Sequence, residues 1–84
     1  MEQKSKNISV NIPLTMLKAG QEAKIVTVKT EDNQKLRKLA AFGIFPGTEI
    51  QVIQCYPSIV IQAGFTQIAL DSEIASEIIV NLNN

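Results

Sequence analysis

The apolar positions in the first third of the chain predict two strands separated by a short turn. Residues 8–12 alternate between apolar and polar side chains, which is the period of a half-buried strand. Leu14 and Leu17 then lie one helical turn apart, and Gly20 ends that turn. The β-branched run Ala23–Val28 predicts the second strand.

A helix of about three turns is predicted next, from the spacing of its apolar residues. Asp32 suits the N-cap position, because its carboxylate can accept hydrogen bonds from the first amides of the helix. Leu36, Leu39 and Ala40 recur at helical spacing and predict the face that packs on the core. Gly43 suits the left-handed position just past the helix, where a β-carbon would be strained.

A second chain reversal follows the helix within a few residues. Ile44 is expected to fold back on Leu39, the apolar contact that often accompanies a glycine-terminated helix. Pro46 fixes its own φ, and Gly47 supplies the positive φ that the third position of a type II turn requires. The two reversals predict a helix laid rigidly across the start of the strand that begins at Thr48.

The second half of the chain predicts an antiparallel meander of three short strands, "TEIQVIQC", "IVIQA" and "TQIAL". In the first of them, Ile50 and Val52 are expected on one face and Ile53 and Cys55 on the other. Apolar residues on both faces and open edges favour closure into a small barrel over a flat sheet.

The chain is predicted to end with a short helix and a strand that closes the barrel. Asp71 or Ser72 caps the helix, and "IIVNL" is the closing strand. The predicted fold class is therefore mainly β: a small β-barrel with one or two short α-helical insertions. Residues 1–11 are expected to be a partly flexible N-terminal arm, and residues 12–82 the domain.

Composition and charge exclude several classes of function. The chain has 84 residues, which fits one domain without a deep cleft between lobes. Eight basic and eight acidic residues give zero formal net charge, so we expect no nucleic-acid partner. A single cysteine and an N-terminus without an apolar signal segment predict a cytoplasmic protein. The uncharged span Ile50–Leu70 is interrupted by glutamines, which argues against insertion into a membrane.

The sequence contains no set of residues for catalysis or for a tight metal site. It has no histidine, so neither a Ser-His pair nor a cluster of Cys and His ligands can form. Cys55 is predicted to be a small, half-buried core residue. We therefore expect a non-enzyme with no firmly implied cofactor. The alternative left open is a weak site for a divalent metal, Fe2+ or Zn2+, formed between two chains by carboxylates: Glu49, Asp71, Glu73 or Glu77.

Three stretches of the sequence resemble the FeoA family, small cytosolic proteins associated with the FeoB ferrous-iron transporter: "LTMLKAGQEAKIVTV", "LRKLAAFGIFPGTEIQVI" and "IVIQAGFTQIALDSEIASEIIV". The resemblance implies an SH3-like β-barrel without enzymatic activity that acts on the cytosolic part of FeoB. Similar domains form the C-terminal module of iron-dependent repressors, so the alternative function is a stand-alone metal-responsive regulatory domain. The chain departs from the family in its short "CYPS" loop and its longer N-terminal arm.

Two sets of residues are candidates for protein contacts. The first is a basic helix segment with Arg37 at its centre, followed by Phe42 and Phe45; the alternatives are a solvated helix face and aromatics packed in the core. The second is the uncharged meander, whose polar positions are glutamines. A strand surface without charges can dock another protein without burying an ion. We therefore expect self-association or transporter contact through a second set of residues: Gln51, Gln62 and Gln67.

Overall fold

A computed structural model of the chain describes residues 9–83. Residues 1–8, which make up most of the predicted arm, lie outside this range, so the prediction that the arm is partly flexible stays a prediction. The elements follow one another as β1 (Ser9–Pro13), a 3-10 turn (Leu14–Met16), β2 (Glu22–Val28), α1 (Asn33–Ala41), β3 (Glu49–Gln54), β4 (Ile59–Ala63), β5 (Thr66–Leu70), α2 (Ser72–Glu77) and β6 (Ile78–Asn83).

All six strands belong to one antiparallel sheet with the order β1-β6-β2-β3-β4-β5. The predicted meander is confirmed, since β3, β4 and β5 pair in sequence order. The last strand lies between β1 and β2, where Val80 is opposite both Ile12 and Ile25. Residues 9–11, which were assigned to the arm, form the first part of β1 and pair with residues 81–83.

The core is a single cluster of aliphatic side chains on the inner face of this sheet. It includes Ile25 of β2, Val52 of β3, Ile61 of β4, Leu70 of β5 and Val80 of β6. A sheet this wide can share one cluster only by curling around it, which gives the barrel shape. Strand pairing within residues 9–83 ends at β1 and β5, so the barrel is open between these two strands.

The 3-10 turn and α2 complete the core. Leu14, Leu17 and Ala75 are all buried in the same cluster. The cap of α2 is Asp71, whose carboxylate accepts a hydrogen bond from the amide of Ile74 at 2.8 Å. The sequence left Asp71 and Ser72 open as caps, and the structure assigns this role to the aspartate.

Of two expectations about side-chain orientation, one is confirmed and one was wrong. Ile53 lies on the opposite face of β3 from the buried Ile50 and Val52, as expected, and is 39% exposed; a β-bulge between Val52 and Gln54 makes it the extra residue opposite β4. Ala40 was placed on the core face of α1 but is exposed. Within α1, whose residues are all described, only Leu39 is buried, so the helix contacts the core along a narrower stripe than its pattern predicted.

Candidate functional site

Both ends of α1 are fixed by local hydrogen bonds that the sequence predicts. The carboxylate of Asp32 accepts from the amide of Gln34 at 2.9 Å and from that of Lys35 at 3.4 Å. At the other end, Gly43 has φ of 90° and donates to the carbonyl of Ala40 at 2.9 Å. Ile44 donates to the carbonyl of Leu39, also at 2.9 Å, which completes a Schellman termination.

The turn after the helix is joined directly to β2. Thr48 donates to the carbonyl of Phe45 at 3.1 Å and Gly47 has φ of 96°, which confirms the predicted type II turn. Gly47 also donates to the carbonyl of Ile25 at 2.7 Å, and Ile25 donates back to Thr48 at 2.8 Å. These two bonds fix the orientation of the turn, and of the helix end before it, relative to the sheet.

Three predicted contact residues lie on α1 and on the turn that follows it. Arg37 is exposed on the outer side of α1, while Phe42 and Phe45 are 47% and 49% exposed. The alternative that both rings are buried in the core is therefore wrong. We call Arg37, Phe42 and Phe45 the basic–aromatic surface. The set comprises one positive charge on α1 and two partly exposed rings at and after its end, residue types that are enriched in protein-binding sites.

The other three predicted residues are aligned across the meander. Gln51 is directly opposite Gln62, and Gln62 is directly opposite Gln67. The Gln67 amide donates to Gln62 Oε1 at 3.4 Å, and the Gln62 amide donates to the carbonyl of Gly64 at 3.0 Å. We call Gln51, Gln62 and Gln67 the glutamine row. Because Ile50 and Val52 on either side of Gln51 are buried, the row lies on the outer face of the sheet.

A polar depression of about 510 Å³, which was not predicted from the sequence, adjoins the glutamine row. Glu22 is opposite Gln51, while Lys24 is opposite both Glu49 and Asn81, so four neighbouring strands line it. The alternation within β2 could have placed Glu22 and Lys24 on the outer face. Their neighbours could not be foreseen, because strand order brings β6 next to β2.

The residues considered for metal binding do not converge. Within residues 9–83, no group of three or more carboxylate or cysteine side chains lies close enough to share an ion. Asp71 caps α2, with Glu73 in its first turn and Glu77 at its last residue, whereas Glu49 begins β3. The weak site expected between two chains is therefore not assembled by one chain.

Cys55 differs from its predicted environment. The residue is exposed, not half-buried in the core. It follows β3 in the turn to β4, and its Sγ donates to the carbonyl oxygen of Leu17 at 3.4 Å. That contact joins the turn to the segment after the 3-10 turn, while the residue as a whole remains exposed.

Comparison with known proteins identifies the fold and the family. The fold is that of a small SH3-like barrel domain, mainly β with two short helices, as the sequence predicted. The model of the FeoA domain matches residues 12–82, and the chain belongs to the FeoA family of iron-transport proteins. None of the helices within residues 9–83 is both long and apolar enough to cross a membrane. The sequence matches none of the curated proteins with which it was compared.

Three solved structures show how far the similarity extends. An iron uptake regulatory protein, FeoA, is 27% identical with a TM-score of 0.76, and the match covers 87% of this chain and 99% of that one. FeoA of Stenotrophomonas maltophilia complexed with zinc, described as a prokaryotic SH3 domain protein, is 24% identical with a TM-score of 0.72, covering 82% of this chain and 88% of that one. A manganese-dependent transcriptional repressor complexed with manganese is 20% identical with a TM-score of 0.78, covering 88% of this chain and 37% of the repressor.

Proposed function

We propose that this chain is a cytosolic, non-enzymatic module of ferrous-iron uptake that acts by binding the cytosolic part of a FeoB-type membrane transporter. The family match over residues 12–82 is the observation that carries the proposal. The basic–aromatic surface is the part of the molecule that we assign to this contact.

The geometry of the helix end supports that assignment. Phe42 and Phe45 leave about half of their surface exposed although apolar burial favours covering it, so a partner that buries them gains free energy. The Gly43 termination and the Gly47 turn hold the backbone in place before binding. Little conformational entropy is then lost on association. Arg37 favours a partner surface that carries carboxylates.

The test is calorimetric titration of the purified cytosolic domain of FeoB with the wild-type chain and its variants. Phe45→Ala and Phe42→Ala should each weaken binding about tenfold or more, the usual effect of truncating a central aromatic. Arg37→Glu should also weaken binding, and the loss of affinity should be larger at low salt than at high salt. Tyr56→Ala and Lys29→Glu are matched controls, because Tyr56 is exposed at the opposite end of β3 from the helix end and Lys29 is exposed before the start of α1. Equal losses in the controls, or full binding by the three variants, would contradict the proposal.

The fold also supports a second function, a metal-responsive regulatory domain like the C-terminal barrel of iron-dependent repressors. The manganese-bound repressor and the zinc-bound FeoA are both similar in structure, which is consistent with weak divalent-metal binding by this chain. Equilibrium dialysis with Fe(II), Mn(II) and Zn(II) distinguishes the two. Low-micromolar binding that is lost in Glu49→Gln or Glu22→Gln would favour the regulatory domain over the transporter module.

A further inference from the structure

The strand β5 (Thr66–Leu70) is an edge strand without the features that usually protect such edges. Within residues 9–83 it pairs with β4 alone, and no strand pairs with its other side. It carries no charge and no proline, and its register with β4 has no bulge. Natural proteins normally place a charged residue, a proline or a β-bulge on a free edge, because each of these prevents pairing with another chain. At the opposite edge of the sheet, β1 ends in Pro13.

The hairpin fixes which backbone groups of β5 face outwards. A two-residue loop joins Ala63 to Thr66, and the pair that closes such a loop exchanges both of its hydrogen bonds. Hydrogen-bonded pairs alternate along an antiparallel ladder, so Ile68 also bonds to β4. The N–H and C=O groups of Gln67 and Ala69 therefore point away from β4. These four groups are arranged symmetrically about Ile68.

We propose that two copies of the chain pair antiparallel through β5, about a two-fold axis at Ile68. Gln67 then lies opposite the partner subunit's Ala69, and each of these two equivalent pairs exchanges two backbone hydrogen bonds. On the outer face, each long amide side chain lies beside a methyl group. On the inner face, Ile68 meets its own copy and extends the apolar layer across the junction.

The same symmetry covers an aromatic ring that the monomer leaves in solvent. Phe65, at the tip of the β4–β5 hairpin, is 105% exposed. At the other end of the strand is a cleft of about 480 Å³, lined by Tyr56, Ile59, Leu70 and Asp71 among others. A two-fold axis at Ile68 places Phe65 level with the partner subunit's Asp71. At each end of the paired β5 strands, Phe65 of one chain therefore lies beside the cleft of the other chain.

These complementary ends favour a second copy over an unrelated strand as the occupant of the edge. A foreign strand would satisfy the backbone groups of Gln67 and Ala69 but would leave Phe65 in water. Zero net charge on each chain also means that two copies approach without long-range repulsion.

Sedimentation equilibrium tests the proposal. We expect the wild-type chain to have twice the monomer mass of 9.2 kDa at high concentration, and Ala69→Lys and Phe65→Asp each to reduce it to the monomer mass. Thr27→Lys adds the same charge as Ala69→Lys at an exposed position of β2 and should leave the dimer intact. Circular dichroism verifies that the variants fold. A monomeric wild-type chain, or a dimer that survives both edge variants, would overturn the proposal.

A disulfide variant tests the register directly. The variant carries Gln67→Cys and Ala69→Cys in a Cys55→Ser background. In the proposed dimer, position 67 of one chain lies opposite position 69 of the other, and the α-carbons of such a hydrogen-bonded pair are about 5.5 Å apart, within the range that a disulfide spans. Mild oxidation should then give a covalent dimer that a reductant reverses. Introducing Thr27→Cys instead should give none. Equal cross-linking in the two variants would show that collisions, not β5 pairing, form the bond.

Discussion

The amide of Ile44 donates a hydrogen bond to the carbonyl of Leu39 at 2.9 Å, and both side chains are buried in the core. The end of α1 is thus held between Leu39 and Ile44 both by a backbone hydrogen bond and by apolar packing. Gly43 makes this step feasible, because its φ of 90° is costly for any residue with a β-carbon.

Gly43→Ala should therefore lower the free energy of unfolding by roughly 1–2 kcal/mol, the cost of holding an L residue in this conformation. A β-carbon at this position would meet nothing within 4 Å, so the cost comes from the backbone and not from a clash. Gly43→Asn is the matched control and should cost less, since asparagine tolerates positive φ. Urea unfolding measures both. Equal stability of the alanine variant and the wild type would contradict the assignment.

The N-cap of α1 gives a second prediction. Asp32→Ala removes the acceptor for the amides of Gln34 and Lys35 and should cost about 1 kcal/mol of stability. Asp32→Asn keeps an acceptor oxygen and should lose only part of that. Glu31→Gln removes a neighbouring negative charge but leaves the hydrogen bonds of the cap in place. It therefore distinguishes the effect of charge near the helix N-terminus from the loss of those hydrogen bonds. An equal effect of Glu31→Gln and Asp32→Ala in thermal or urea unfolding would show that charge alone matters.

Local signals in the sequence predicted these features because each depends on a few adjacent residues. Asp32, Gly43 and Gly47 have the cap, termination and turn that their chemistry favours. Strand order was different: the pairing of Ile12 with Val80 joins residues far apart in sequence, and no local pattern encodes it. The polar depression beside Lys24 was missed for the same reason.

The sequence predicted those parts of the candidate site that depend on residues close together in the chain. Exposed Phe42 and Phe45 follow from a helix end whose apolar contact is made by Leu39 and Ile44. The alignment of Gln51 with Gln62 depends on where the bulge in β3 falls. A bulge shifts the register by one residue without a distinct sequence signal, so the residue that lies opposite Gln51 cannot be read from the sequence.

Core packing on either side of that bulge gives a third prediction. Ile61 is completely buried, so Ile61→Ala should cost about 2–5 kcal/mol through lost burial and the cavity left behind. Ile53→Ala makes the same chemical change at a residue that is 39% exposed and should cost less than about 1 kcal/mol. Denaturant unfolding compares the two. Similar losses would mean that Ile53 packs in the core and does not lie on the outer face of β3.

Cys55 gives a fourth prediction, on reactivity. Because the residue is exposed, a thiol-specific aromatic disulfide should modify it in the native protein without prior unfolding. Its rate of modification should change little when urea unfolds the chain. Cys55→Ser, which should show no reaction, is the control for the specificity of the reagent. Reaction only above the unfolding midpoint would contradict the exposure and favour the half-buried core environment that the sequence predicted.

The glutamine row gives the fifth prediction. Replacing Gln51, Gln62 and Gln67 by lysine puts three positive charges side by side on adjacent strands, and like charges directly opposite each other repel. Association through the meander should be abolished, as measured by light scattering. The control chain carries three lysines at exposed positions outside the meander: Thr15, Ala19 and Thr27.

Single substitutions in the row distinguish an edge contact from a face contact. Gln67 lies on the free edge, whereas Gln51 is two strands away from it. If β5 pairs edge to edge with a second copy, Gln67→Lys alone should dissociate the dimer and Gln51→Lys alone should not. If a partner instead covers the outer face of the meander, both should weaken binding to a similar degree. Unchanged light scattering in the triple variant would contradict a role for the row in either contact.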